Sequence, residues 1–307
     1  MNKKGIFFTI LVIAILSLFL ISYTMYSFIQ DRSSINKRIK TMNNFVFSLE
    51  QDMSRQIYIS GYRALLSLQT HITEQGQFLD SSEESIKEVL LNGTIETQNI
   101  SLMEGYKLED WSSRISEFGE QTNLLINYSL KDVRVFQEDP WNVKIEMSIN
   151  IFIQDKSGLA SWNRTQNISS KISILDFEDP LYLISTNGKV VNKINKTVYE
   201  PFVTGTDVSN LILHVGNSSY IDSIDAPSYL DRLEGKISAN PEGNGIESLV
   251  YLPKLSGQGI AIKDKSVVDY IYFSANNPSA HNIQGMPSWF KIDDAHLDIY
   301  QVSGLVS

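Results

Sequence analysis

Residues 5–30 read GIFFTILVIAILSLFLISYTMYSFIQ, and from Ile6 to Ile29 no residue is charged. At about 1.5 Å of rise per residue, a helix over this run covers the roughly 30 Å hydrocarbon core of a bilayer with a little to spare. Lys3 and Lys4 stand in front of it, and Asp31 and Arg32 close it. A cleaved secretory signal has a shorter apolar stretch, about 7–15 residues, and ends at a small-x-small site. Here the end is bulky, Tyr23-Thr24-Met25-Tyr26. Residues 1–30 are therefore expected to be a retained membrane anchor, with the lipid bilayer as partner. Everything after Arg32 is a body tethered to that membrane.

The residues in front of the apolar run carry a second pattern. Lys3-Lys4-Gly5 directly before a long apolar helix resembles the class III signal of type IV pilins and archaeal pilin-like proteins. The resemblance implies cleavage after Gly5 by a prepilin-type peptidase, with Ile6 as the new first residue. Lys4, Gly5 and Ile6 are then the processing site. The same resemblance implies an archaeal source, pilus-assembly components as partners, and a non-enzymatic role in surface assembly or adhesion. Two positions depart from the family pattern: Ile10 stands where bacterial members carry Glu, and Phe7 is bulky for the second mature residue. A plain signal anchor, left uncleaved, is the other reading of these residues.

Charge and composition bound the rest. The chain has 307 residues, a net charge of −9 and no cysteine. Without cysteine, neither a disulfide framework nor a thiolate metal site is available. Residues 1–40 hold six basic residues and one acidic, which leaves residues 41–307 at a net −14. A body that acidic excludes nucleic acid as a partner. Lys3 and Lys4 favour a cytoplasmic N-terminus, whereas Arg32, Lys37, Arg38 and Lys40 pull the other way. Seven Asn-x-Ser/Thr sequons, at Asn92, Asn99, Asn127, Asn163, Asn167, Asn195 and Asn217, are possible glycosylation sites. They favour a single-pass protein of the cell membrane, with residues 32–307 extracellular.

Beyond the anchor the periodicity remains helical. Ile35, Ile39, Met42, Val46, Leu49, Met53 and Ile57 recur at three- and four-residue steps, and Ala64, Leu65, Leu68 and Ile72 extend the stripe past Gly61. Residues 31–76 therefore read as an amphipathic stalk ended by Gln75-Gly76-Gln77. The stripe is expected to pack on the chain's own domain; self-association of several N-terminal helices is the alternative. Residues 77–180 read as two helices, one opened by a Ser81–Glu84 capping box and one over residues 108–126, followed by an antiparallel meander. Val143, Ile145, Met147, Ile149, Ile151 and Ile153 alternate with polar residues and mark its central strand, and Leu159 to Leu175 reads as the third. Asp176 to Pro180 reads as a strand terminus. Residues 181–307 read as a smaller α+β subdomain. Val208–His214, Ile246–Leu252 and Val267–Phe273 are its expected strands, and Tyr229–Leu233 is a short helix. The fold class is α+β throughout.

No hydrolase, Walker or zincin motif is present, and catalytic, cofactor-binding and metal residues are expected to be none. Gly257-Gln258-Gly259 reads as a tight turn. His71 and His214 read as structural or solvated. His281 and His296 lie near Asp293 and Asp294 in sequence, but the spacing matches no metal site, and the aspartates read as the cap of a last short helix. Alanine there is expected to cost no more than a cap, about 0.5–2 kcal/mol. Asp222, Asp225 and Asp231 read as turn and cap chemistry around Pro227. Trp289 and Phe290 read as buried in the last subdomain or, alternatively, as a binding patch. A membrane-anchored ligand-binding or sensor ectodomain is the alternative function, and an anchored hydrolase a third.

Overall fold

In a computed structural model that describes residues 3–158 and 160–307, with side chains from residue 7 onward apart from residue 31, one helix runs unbroken from the apolar N-terminal run into the body. This helix, α1, spans Lys3–Gln75. The side chains at residues 4–6, where the sequence predicts processing at Lys4, Gly5 and Ile6, lie outside the described residues, as does Leu159. From Phe7 the first part of α1 is long and apolar enough to cross a membrane, with a mean hydropathy of 2.4 and 0% of that window buried. Large apolar side chains such as Phe8, Leu18 and Phe19 stand bare there. Higher up the same helix becomes a core element. Met42, Val46, Leu49, Met53, Ile57, Ala64, Leu65, Leu68 and Ile72 are all buried. The stripe is covered by the chain's own sheet, as expected from packing within one fold.

The sheet follows two covering helices, α2 (Ser82–Asn92) and α3 (Leu108–Gln121), with a small hairpin of β1 (Thr94–Ile95) and β2 (Gln98–Asn99) between them. Ser81 caps α2 by accepting from the Glu84 N–H, and Gly93 ends it in a left-handed conformation. The meander is β3 (Leu124–Asp139), β4 (Asn142–Asp155) and β5 (Ser161–Ser173), antiparallel in that order. Leu130 and Gln166 flank Ile149 in register. β4 alternates strictly between buried and half-buried, with Val143 through Ile153 inward as its period predicts. The outer face carries a charged ladder in which Lys144 bridges Glu138 at 2.5 Å and Glu146 at 2.9 Å. Half-exposed pairs of this kind add little stability. The sequence reading ran the second covering helix to residue 126. It ends at Gln121, because Asn123 takes a positive φ and turns the chain into β3. Phe118 and Leu125, apolar residues of that span, are exposed.

Gly61 does not loosen α1. A side chain there would collide with the tips of Ile145 and Ile172. At Gly61 the helix backbone lies against the Ile145 and Ile172 side chains of β4 and β5, and a larger residue would require those tips to shift.

The C-terminal half has short elements: α4 (Pro180–Ser185), α5 (Ser209–Gly216), β6 (Tyr220–Ser223), α6 (Tyr229–Leu233), β7 (Gly245–Ser248), α7 (Leu252–Gly257), α8 (Asp269–Phe273), β8 (Ala280–Asn282) and β9 (Lys291–Asp293). Three sequence expectations are corrected here. Residues 208–214 form α5 rather than a strand: their apolar run is short, and both Leu211 and Val215 turn into a second core, as a helical step of four demands. Val268 makes one isolated bridge to Leu249, and Asp269–Phe273 is helical. The strand at residue 246 ends at Ser248, and Pro253 then fits the first turn of α7. Gly257 and Gly259 belong to the end of α7 and the turn after it. The two cores meet around β6, α6 and β7, since Tyr220, Tyr229, Leu233 and Ile246 pack with the stalk and the meander. Glu234 accepts from Ser82 N–H at 2.8 Å and Ser82 Oγ at 2.7 Å, fastening α6 to the start of α2.

Candidate functional site

The densest chemistry lies inside the C-terminal half, around β7. All four residues of β7 are buried. On one side sits Arg232 of α6, with 0% of its side chain exposed. Its Nη1 donates to Asp179 at 2.6 Å and to Asp269 at 3.0 Å, and Nη2 donates to Asp269 at 3.2 Å and to the Ile246 carbonyl. Asp179 also caps α4 by accepting from the Leu181 N–H, and it accepts from the Tyr220 hydroxyl at 2.8 Å. Asp269 accepts from the Ser248 N–H at 3.0 Å and the Ser248 hydroxyl at 2.8 Å. Burial pushes the Asp179 carboxyl up, and the Arg232 charge opposes it. The guanidinium loses solvation, but two carboxylates and their hydrogen bonds hold it protonated. Asp179, read from the sequence as part of a strand terminus, is a helix cap and half of a buried ion pair.

The second cluster sits on the other side of β7. His296 Nδ1 is 2.6 Å from Asp293 Oδ1, and its Nε2 is 2.9 Å from the Tyr270 hydroxyl and 3.5 Å from Glu247 Oε2. Ser266 donates to the other Asp293 oxygen at 2.6 Å. His296 and Asp293 are both 2% exposed. Asp293 precedes the 3-10 turn over Asp294–His296 but makes no side-chain cap bond. This corrects the cap reading: the carboxylate is spent on His296 and Ser266, so alanine at Asp293 or His296 removes a buried partner rather than a surface cap. His281 instead pairs with Asp294 at 2.7 Å, partly in solvent. His281, Asp293, Asp294 and His296 thus form two separate pairs. Among the described residues no group of three or more His, Asp or Glu is arranged to hold a metal ion.

Burial draws the His296 imidazolium down, but the hydrogen bond to Asp293 and the charges of Asp293 and Glu247 outweigh it and hold its pKa near 10. A folded pKa above the unfolded 6.5 stabilises fully below about pH 6.5 and is lost as pH rises to about 10. We expect unfolding free energy to fall by up to about 1.4 kcal/mol per pH unit across that window. His296→Gln should flatten the dependence; equal slopes in urea unfolding of both proteins would refute the assignment.

The arrangement resembles a hydrolytic dyad only in its residue types. Ser266 donates to the aspartate rather than to the histidine, and the free imidazole nitrogen is taken by Tyr270. A nucleophile would have to sit on that nitrogen. Both Glu247 oxygens and the Tyr300 hydroxyl are buried and make no hydrogen bond. His214 is buried as well, on α5 rather than a strand; its Nδ1 lies 2.9 Å from the Thr197 hydroxyl. Burial lowers its pKa to about 4, so it is neutral. Asp231 closes a capping box with Ser228 by accepting from its N–H at 3.0 Å, while Asp222 and Asp225 are exposed. Trp289 is half-buried against Tyr251, and Phe290 is fully buried.

An open groove lies elsewhere, between α1 and α3. Its volume is about 590 Å³, and Phe45, Trp111, Phe118, Arg55 and Arg114 line it. Phe45 and Phe118 stack at 5.5 Å. Arg55 is paired with Asp52 at 2.5 Å, and Arg114 donates to the Gly105 carbonyl at 2.9 Å. The seven sequon asparagines are all exposed. Asn217 alone donates twice from its amide, to Tyr199 at 3.0 Å and to the Leu213 carbonyl at 2.8 Å. No family model, curated protein or solved structure matches this chain.

Proposed function

We propose that the chain is a single-pass, membrane-anchored surface protein of pilin-like build, acting in surface assembly or adhesion without catalysis. The observation that carries this reading is α1 itself. Its bare apolar part passes without a break into a stripe buried under an antiparallel meander. A helix built this way transmits position from the membrane to the body with no flexible joint. The polar clusters of the body support the same reading, because Arg232, Asp179, Asp269, Asp293 and His296 are sealed from any substrate. The seven exposed sequons fit an outward-facing domain. A prepilin-type peptidase and pilus-assembly components are the partners this reading requires.

Two measurements test it. Mass spectrometry of the N-terminal peptide should find a mature chain starting at Ile6, and protease added to intact cells should remove the domain beyond Arg32. A retained Lys3-Lys4-Gly5 would leave a plain signal anchor. A protected domain would invert the topology and end the surface role. The second reading, a ligand-binding ectodomain, rests on the aromatic groove between α1 and α3. It places the ligand on the stalk rather than in the C-terminal half.

A further inference from the structure

We infer that the first turns of α1 above the membrane form a cationic collar that binds the phosphate groups of anionic lipids in the adjoining leaflet. The inference rests on the anchor reading above and adds the lipid class. Four basic residues follow the apolar run, and the structure sorts them into two kinds. Arg38 serves the fold: it bonds Asp155 at 2.7 Å and the Thr122 carbonyl at 3.0 Å, docking the lower end of the sheet and α3 on the stalk. Arg32, Lys37 and Lys40 make no ion pair among the described residues.

The three unpaired cations share a face. At about 100° per residue they fall within roughly 140° of one another, and Arg38 lies outside that arc. Arg32, Ser33, Asn36, Lys37 and Lys40 line one shallow cleft, continuous with apolar Phe28 at its lower end. Helical side chains lean toward the N-terminus of their own helix, which here is toward the bilayer. Ten residues at about 1.5 Å each, from Asp31 to Lys40, rise roughly 15 Å. Long lysine and arginine stems reach back across part of that distance to the headgroup layer. The charge contrast is the selective observation. Residues 31–40 carry a net +3 even with Asp31 counted, while residues 41–307 carry −14. An acidic body alone would be repelled by an anionic surface; the collar is a basic segment that directly borders the apolar run. It also accounts for basic residues on the far side of the span, where orientation by charge would not place them.

The test uses the full-length chain in nanodiscs of phosphatidylcholine with a minor fraction of phosphatidylglycerol. Lipids retained by the protein are counted by native mass spectrometry. The wild type should retain phosphatidylglycerol in preference. The triple variant Arg32→Gln, Lys37→Gln, Lys40→Gln should lose that preference, with retention weaker by about fivefold per charge removed. Lys189→Gln, at an exposed position in the C-terminal half, should keep it. The three side chains are exposed and make no ion pair among the described residues, so thermal unfolding of the triple variant should match the wild type. An unchanged preference in the triple variant overturns the inference, as does displacement of the lipid by inorganic phosphate at equal concentration, which would mark a site for soluble anions. A chain that fails to enter nanodiscs overturns the anchor reading as well; entry without lipid preference overturns the collar alone.

Discussion

Arg232→Met is expected to unfold the C-terminal half. Asp179 and Asp269 have no exposed side-chain surface, and among the described residues the Arg232 guanidinium is the one cation that meets both. Removing one partner of a buried ion pair costs about 3–5 kcal/mol, because the remaining charge stays buried and unpaired. Here two carboxylates and the Ile246 carbonyl are left, against a total stability of roughly 5–15 kcal/mol for a domain. Arg232→Lys should fail nearly as badly, since one ammonium cannot span both carboxylates and the carbonyl as a planar fork does. The combination Arg232→Met, Asp179→Asn, Asp269→Asn should recover part of the loss, because neutral amides are far cheaper to bury than charges. Urea unfolding followed by near-ultraviolet circular dichroism reads all three. An unchanged midpoint for Arg232→Met would mean that the pairs contribute nothing to folding.

The same network shows where the sequence could be read and where it could not. Periods carry information about faces. The three- and four-residue steps from Met42 to Ile72, and the alternation from Val143 to Ile153, are visible because each element buries one side along its length. Caps are visible for a similar reason: Ser81, Gly93 and the Ser228–Asp231 box act within one turn of the helix they end. Arg232 has no such local mark. Its partners lie 53 and 37 residues away, and no spacing rule connects Asp179, Arg232 and Asp269. β7 is four residues long and buried on both faces, so it shows no alternation, and Glu247 within it reads as a surface residue. Val208–His214 misleads for the opposite reason. An apolar run of that length suits a buried strand and a buried helix equally, and the tertiary setting decides. The one clue available for the network was compositional: Asp179-Pro180 is a helix opening, with an acidic cap before a first-turn proline.

The meander offers the largest contrast between neighbours. Ile149→Asp should unfold the domain, while Asn150→Asp should leave stability within about 0.5 kcal/mol. Ile149 is 2% exposed, faces the stalk stripe, and sits between Leu130 and Gln166 on the central strand. An aspartate there brings a carboxylate among buried apolar side chains, and the group must either be desolvated or stay protonated. Replacing the isoleucine also removes the apolar burial it contributed, about 1.5–3 kcal/mol by itself. Asn150, one residue on, points to the other face. It is half-buried, and its Oδ1 accepts from the Thr165 hydroxyl at 3.3 Å. An aspartate keeps that acceptor, and Lys131, which reaches the same Thr165 at 3.4 Å, supplies a nearby positive charge. The two substitutions add the same charge one residue apart, so any difference between them measures the face and not the charge. Chemical unfolding of the two variants side by side is the measurement. Comparable damage from both would show that β4 does not hold the register in which Val143 to Ile153 face the stalk, and the packing of α1 on the sheet would have to be redrawn.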